Sequence, residues 1–386
     1  MPFTSPRLDA VRTLAYELGF DHCSLAPLSI DEADRAAYLK WCEAGSAAGM
    51  SYMTRDPHAR LDATSWFPEA RSLLTVAVSY HQGDLPPKPG PGYGRVARYA
   101  WGEDYHPLIL ARLEQLLARL PQTLGVPLKG RAAIDTRPLL ERALAKSAGL
   151  GFTGKNTVMI VPRGGQGLRF HVGSFVFLGE ILLDLEADGP VERPADGCGG
   201  CRKCLDACPT NAFDGAYNLN ANKCISYLTI ENKGWIAREM RAGVGDWIFG
   251  CDICQDVCPF NARAFDTRWP ELRAERGAGA WISVGDVLSL GAREFNQRFG
   301  PTPLSRAKRR GLVRNACVVA GNSGDDALSP ALETLLADAE PVVRGHALDG
   351  LARLSPRRAR PHAEKLSGDP DDGVRAEAQS VLAALS

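Results

Sequence analysis

A chain of 386 residues, 45% hydrophobic and 23% charged, is long enough for two or three domains and has apolar material for ordinary globular cores. Its 45 basic and 45 acidic residues cancel, so net charge neither demands nor excludes a polyanionic partner. The most apolar stretch, 168–185, is interrupted by Arg169, His171 and Glu180, and the start (MPFTSPRLDAVRTLAYELGF) reads as an amphipathic helix, so a cytoplasmic protein without a membrane span is expected.

In chain order, residues 1–190 mix helical and strand patterns. Apolar spacing predicts helices over 8–18, 30–44, 107–120 and 138–148, and strands over 73–79, 131–135, 158–161 and 170–178. The Pro- and Gly-rich stretch 83–94 must be a loop. ARYAWGEDYHP gathers Arg98, Tyr99, Trp101, Asp104, Tyr105 and His106 ahead of a helix. Asp135 follows a short strand in AAIDTRPLLERALA, and two uses compete for it. It can cap the helix that Pro138 begins, the commoner use of Asp at such a place. Alternatively, at the carboxyl end of a strand it can face a ligand crevice, where apolar walls would raise its pKa toward that of a proton donor. GLGFTGKNTVMI is a glycine-rich turn with Lys155 and Asn156 as polar contacts, although most such loops bind nothing.

Residues 191–302, entered through the linker 188–200, hold eight of the eleven cysteines. They read Cys198-x2-Cys201-x2-Cys204-x3-Cys208-Pro209 and Cys251-x2-Cys254-x3-Cys258-Pro259, with Cys224 between. This is the ligand pattern of a ferredoxin with two [4Fe–4S] clusters, in which a tight loop turns three thiolates to one cluster and the fourth cysteine reaches the other. Crossed ligation predicts Cys198, Cys201, Cys204 and Cys258 for one cluster. The other takes Cys208, Cys251 and Cys254. Ile248 stands where its fourth ligand would fall, which leaves Cys224 as the substitute. Zinc also uses C-x2-C pairs, but eight ligands in two quasi-repeated units suit it poorly. Cys23, Cys42 and Cys317 are spare and read as small buried hydrophobes.

From 303 to 386 the chain repeats itself. VRNAC at 313–317, VRGHA at 343–347 and VRAEA at 374–378 recur roughly every thirty residues, the last two after Asp-containing turns, the signature of HEAT-like helix pairs. Arg306, Lys308, Arg309, Arg310 and Arg314 form a basic run suited to phosphates. Arg353, Arg357, Arg358 and Arg360 form another, equally readable as a solvated helix face.

Eight segments, in this order, resemble the epoxyqueuosine reductase family: ARYAWGEDYH, AIDTRPLLERALA, GLGFTGKNT, GSFVFLGEILLD, CGGCRKCLDACPTNAF, KCISYLTIENKG, GCDICQDVCPFN and RRGLVRNACVVAGN. The resemblance covers nearly the whole chain. It implies reduction of the epoxide of epoxyqueuosine, at the wobble position of tRNA, to the alkene of queuosine. The implied cofactors are cobalamin and two [4Fe–4S] clusters fed by an external flavodoxin- or ferredoxin-type donor. The implied fold is an α+β cobalamin-binding core (1–190), a bacterial-ferredoxin-like two-cluster domain (191–302) and all-α HEAT-like repeats contacting tRNA (303–386), in a monomer. Asp135 becomes the proton donor in place of a cap. Arg98, Tyr105, Asp135, Lys155, Asn156, Ser174 and Phe175 would line the corrin. Asp56-Pro57-His58 and Asp104-Tyr105-His106 lack the glycine of the D-x-H-x-x-G signature, so base-off binding without a protein ligand under cobalt is expected. The rival readings are a cobalamin-dependent reductive dehalogenase-like enzyme, which lacks an Asp135 equivalent in its donor segment, and a plain electron-transfer ferredoxin, which leaves residues 1–190 without a task.

Overall fold

SLLTVAVS carries no charge, the pattern of a strand covered on both faces, and all eight residues of this strand are buried. The computed structural model describes residues 6–162, 172–187 and 191–385. The strand lies inside a four-stranded sheet of β1 (His22–Pro27), β2 (Ser72–Ser79), β3 (Gly130–Ala133) and β4 (Val176–Leu183), in the order β1-β2-β4-β3. Every pairing is antiparallel. This fits the α+β expectation and corrects the crevice argument, because a residue after β3 does not stand at the switch point of a parallel sheet.

Helices α1 (Pro6–Glu17), α2 (Glu32–Glu43), α3 (Tyr105–Leu124) and α4 (Glu141–Ser147) accompany the sheet. Asp104 caps α3 by accepting the His106 N–H at 3.1 Å, and Gly125, in the left-handed region, ends it. Ile109, Leu113, Leu116 and Leu120, at helical spacing, are fully buried. They meet the sheet where β4 carries Gly179; a Cβ there would lie 2.9 Å from Leu113. On the opposite face, Leu144 and Ala148 pack with Leu73, Ala133 and Leu182.

Two element boundaries differ from expectation for physical reasons. Helix α4 begins at Glu141, after Leu140 as its N-cap, so Asp135 is not a helix cap. The strand expected over 170–178 is Val176–Leu183. Residues 170 and 171 lie outside the described residues. Gly173 has φ 71°, and the Ser174 N–H goes to Asn261 instead of a strand ladder.

The chain divides into two compact units. One comprises Met1–Gly83, Asp104–Asn222 and Ile253–Leu272; the other comprises Asp84–Glu103, Lys223–Asp252 and Arg273–Ser386. The second unit contains α5 (Lys308–Ser323), α6 (Ser329–Leu335), α7 (Pro341–Leu354), α8 (Pro356–Leu366) and α9 (Asp372–Ala384). The repeated sequence has a repeated job. Asp338 and Asp369 each accept the N–H two residues on at 2.9 Å, closing the turns before α7 and α9. Arg309 of α5 reaches Asp338 at 2.6 Å, and Arg344 of α7 reaches Asp369 at 2.7 Å, so each turn is tied to the first helix of the preceding pair. Among the described residues no helix is long and apolar enough to cross a membrane.

Arg314 departs from this pattern and corrects the expectation of a phosphate contact there. It is 1% exposed, and its guanidinium donates to the carbonyls of Leu228, Asn232 and Gly234 at 2.6–2.8 Å. The rest of the first basic run is also less free than its sequence suggests. Arg306 pairs with Glu231, and Arg310 lies 3.5 Å from Glu340, while Lys308 is exposed.

Arg241, 2% exposed, ties the helix Arg238–Val244 to the repeats. It donates to Glu377 at 2.8 and 2.9 Å and pairs with Asp349 at 3.0 Å. Arg241→Ala leaves two buried carboxylates, Glu377 with Arg238 and Asp349 with Arg238 and Arg353 at the edge of the network. It should destabilise the protein by about 3–5 kcal/mol, read as a lower urea midpoint; an unchanged midpoint would mean the network contributes nothing.

Candidate active site and cysteine loops

Between β3 and α4 the chain turns sharply. The Thr136 N–H meets the Ile134 carbonyl, and Asp135 takes φ 49°, a left-handed conformation that Asp tolerates better than most residues. The turn leaves the Asp135 side chain 43% exposed. Its Oδ2 accepts the Tyr105 hydroxyl at 2.8 Å and lies 3.1 Å from His106 Nε2. His106 Nδ1 lies 2.7 Å from Asp104. The Tyr105 ring is sandwiched between His106 and Phe177, with centroids 4.0 and 4.1 Å away. The first turn of α3 thus supplies two polar side chains that aim Asp135.

Burial lowers the pKa of His106, but its hydrogen bonds to Asp104 and Asp135 outweigh that and hold it up at about 9. At neutral pH the ring is an imidazolium. This corrects the expected apolar wall: Asp135 stands among polar partners, and the proton beside it is held by His106. The folded pKa lies above the ordinary 6.5, so the imidazolium's stabilisation is complete below about 6.5 and is lost as pH rises through about 9. The melting-temperature advantage of the wild type over His106→Gln should therefore shrink across that window. A constant difference would count against the charged pairing.

Two further carboxyls lie behind Asp135. Glu141, the first residue of α4, accepts the Asp135 N–H. Burial, and then the Asp135 charge, push its pKa up to about 7. Glu180, in β4, is 0% exposed, and burial followed by Glu141 raises its pKa well above the usual carboxyl range.

In the first unit the cysteine loops bring one expected ligand set together. The helical turn Lys203–Asp206, bearing Cys204, packs against Ile253–Asp256, bearing Cys254. Burial raises the pKa of the Cys258 thiol first, and the neighbouring Cys198, Cys204 and Cys201 thiols raise it further. That is the crossed set of four. Among the described residues no three His, Cys, Asp or Glu side chains are placed to hold a single metal ion. In a cubane each thiolate meets its own iron, so its sulfurs stand wider apart than the donors of a one-ion site. Of the other set, Cys208 accepts the Ala212 N–H at 3.3 Å and Cys254 lies on its helical turn. Cys224 and Cys251 belong to the second unit, where Cys224 precedes the helix Ile225–Ile230.

The residues expected to line a corrin divide differently. Tyr105 stands at Asp135. Lys155 Nζ clamps the carbonyls of Gly199 and Cys201 at 2.6 and 3.0 Å, and Asn156 donates to the Cys254 carbonyl at 3.2 Å. Ser174 is clasped by Gln255 and Asn261, and Phe175 packs against Tyr80 and His81. Asn156, Ser174 and Phe175 are at most 3% exposed, and Asn156 and Ser174 are held by residues of the second cysteine loop. Arg98, in the second unit, is 6% exposed, and its N–H goes to Asp252 at 2.7 Å. Sequence reasoning passed over three residues: His106, quoted but given no role, and Glu141 and Glu180. A lone acid in the apolar run FVFLGEILL was the signal for Glu180.

The comparisons with known proteins follow the same regions. Residues 60–136 match the family described as epoxyqueuosine reductase QueG, DUF1730. Residues 197–261 match a 4Fe-4S double cluster binding domain, and 305–383 match HEAT repeats. The chain is 37% identical over 342 residues to an epoxyqueuosine reductase of Xanthomonas campestris, covering 87% of this chain and 93% of that protein. It is 36% identical over 333 residues to that of Pseudomonas aeruginosa, covering 85% and 88%. A crystal structure of an epoxyqueuosine reductase with an epoxyqueuosine-modified tRNA-Tyr stem loop superposes with a TM-score of 0.87 at 28% identity, covering 98% of both chains. The Bacillus subtilis epoxyqueuosine reductase, whose aspartate-bearing catalytic loop is swung out of the active site, superposes at 0.86 with 27% identity and 98% coverage of both.

Proposed function

Because the chain belongs to the epoxyqueuosine reductase family and is an oxidoreductase, we propose that it reduces epoxyqueuosine in tRNA to queuosine, with Asp135 as the proton donor. The observation that carries the assignment is the exposed Asp135 carboxyl, held by Tyr105 and an imidazolium at His106. Converting an epoxide to an alkene breaks both carbon–oxygen bonds, takes two electrons and two protons, and releases water. Expelling the oxygen unprotonated is costly, and a positioned acid removes that cost. Asp135 passes a proton to the departing oxygen, beside the imidazolium of His106.

Cys198, Cys201, Cys204 and Cys258 fit one [4Fe–4S] cluster by donor chemistry and by their proximity. Cys208, Cys224, Cys251 and Cys254 would hold the other. The two would relay single electrons from an external flavodoxin- or ferredoxin-type donor. Both nitrogens of His106 are hydrogen-bonded, so it would offer the metal no ligand, which suits base-off cobalamin. Tyr105 and Asp135 would face the group. When bound, cobalamin would supply a strongly reduced metal able to act on the epoxide carbon.

The test is anaerobic incubation of the full chain with cobalamin, a reductant and an epoxyqueuosine-bearing stem loop, followed by nucleoside mass analysis. Loss of one oxygen from the modified base is expected; a protein that binds no corrin and leaves the epoxide intact would refute the reading. For the RNA, the exposed Lys308 and the half-buried Arg310 are the proposed phosphate contacts. Lys308→Glu with Arg310→Glu should weaken stem-loop binding and reduce the salt slope by about 1–2. Unchanged affinity and slope would move the interface elsewhere.

A further inference from the structure

Releasing the epoxide oxygen as water consumes two protons, whereas Asp135 carries one at a time. The two carboxyls behind it have no task in the steps above. We propose that Glu141 and Glu180 form a buried proton store that recharges Asp135 during turnover, an inference that rests on the reading of Asp135 as donor.

The placement carries it. Glu180 pairs across the sheet with Thr75 on β2 and Ala133 on β3. Leu178 and Leu182, two residues to either side, pack with Ala145 and Leu144 of α4, so Glu180 points beneath that helix. Glu141 begins the helix. Neither Glu180 oxygen receives a donor, and the Thr75 hydroxyl opposite is unpaired. The group within hydrogen-bonding reach of Glu180 is the Glu141 carboxyl, and that contact forms only if one of the two is protonated. A carboxylate at the centre of a sheet with no cation and no donor is strongly disfavoured, whereas the neutral acid is tolerated. The charged groups nearby are Asp135 in the loop, His106 on α3 with Asp104 behind it, and Arg142 beside Glu141 on α4. The negative charge of Asp135 favours keeping a proton on the pair. Glu141 is the link, since its carboxyl accepts the Asp135 N–H on one side and neighbours Glu180 on the other.

Only O–H bonds change in the recharging steps. Asp135 loses its proton to the departing oxygen, the neutral Glu141 carboxyl passes one to Asp135, and the Glu180 proton is then shared with the Glu141 carboxylate, so that the buried pair keeps one proton between them. Solvent reaches Glu141, which is half-buried, and restores the pair after product leaves. His106 is the competing supply, so the variants must separate the two.

Two measurements on the full-length protein decide it. Isotope-edited infrared spectroscopy of the wild type without corrin should show a protonated glutamic acid carbonyl band at neutral pH that is absent in Glu180→Gln. Absence of that band in the wild type overturns the store, and this readout stands even if the variant does not fold. Multiple-turnover rates of Glu141→Gln and Glu180→Gln should fall about tenfold or more, and the limb of the pH profile near neutrality should move. Wild-type profiles in both variants would assign the recharging to His106 and reject the store. The two failures are distinguishable: full activity in Asp135→Asn sinks the donor reading itself, whereas an inactive Asp135→Asn with unaffected glutamate variants sinks the store alone.

Discussion

Asp135→Asn lowers the rate of queuosine formation by a factor of about 10²–10⁴, the range that a positioned general acid supplies. The amide keeps the shape of the loop and can still accept the Tyr105 hydroxyl, but it has no proton to give. Stem-loop affinity and iron content should be unchanged, because the substitution keeps the size of the side chain and removes only its acidic proton. Loss confined to turnover therefore separates proton delivery from folding or binding. Tyr105→Phe removes one of the two hydrogen bonds that aim the carboxyl, at 2.8 Å, and should cost less than Asp135→Asn. Equal losses would mean that aim, and not the proton, limits the rate.

The second large effect concerns the clusters. Cys258→Ala and Cys198→Ala should each remove half the bound iron and sulfide and stop turnover by breaking the relay. The double variant should lose no more iron than either single one, because crossed ligation puts both residues on one cluster. Cys224→Ala should remove the other half, and joined to Cys198→Ala should leave none. If Cys258 served the cluster of Cys251 and Cys254, the Cys198→Ala/Cys258→Ala protein would lose both clusters. The placement of the Cys258 thiol beside those of Cys198, Cys204 and Cys201 is what favours the crossed outcome.

How much of this was legible in the sequence depends on the range of the interaction. The cysteine spacing is local and chemically narrow, so two clusters could be read from eight residues. The Val-Arg repeats after Asp turns are local too, and Arg344 and Arg375 both return to their own turns, donating to the carbonyls of Asp338 and Asp369 at 2.9 and 2.7 Å. Arg314 sits at the same motif position yet is buried against a segment some eighty residues away, which no repeat pattern reveals. The same limit applies to Asp135. The segment alone favoured a cap at Pro138, but α4 starts at Glu141 because the loop's hydrogen bonds run to Ile134 and Glu141. Lys155, Asn156 and Ser174 look functional in sequence, and the structure adds that Lys155 and Asn156 hold carbonyls of the cysteine loops while Ser174 meets Asn261. Polar residues in a glycine-rich turn look alike from sequence whether they hold a ligand or a neighbouring loop.

The central claim is that electrons gathered through the cysteine loops are spent on the epoxide only when Asp135 delivers a proton. The measurement that tests it most directly is an anaerobic single turnover of the fully loaded, prereduced protein with an epoxyqueuosine stem loop, following the optical spectrum of the metal centres and the modified base together. The wild type should reoxidise its centres as queuosine forms, and Asp135→Asn should keep them reduced with the epoxide intact. Queuosine formed by Asp135→Asn at the wild-type rate, or reduced wild-type centres that persist beside bound substrate, would contradict the account.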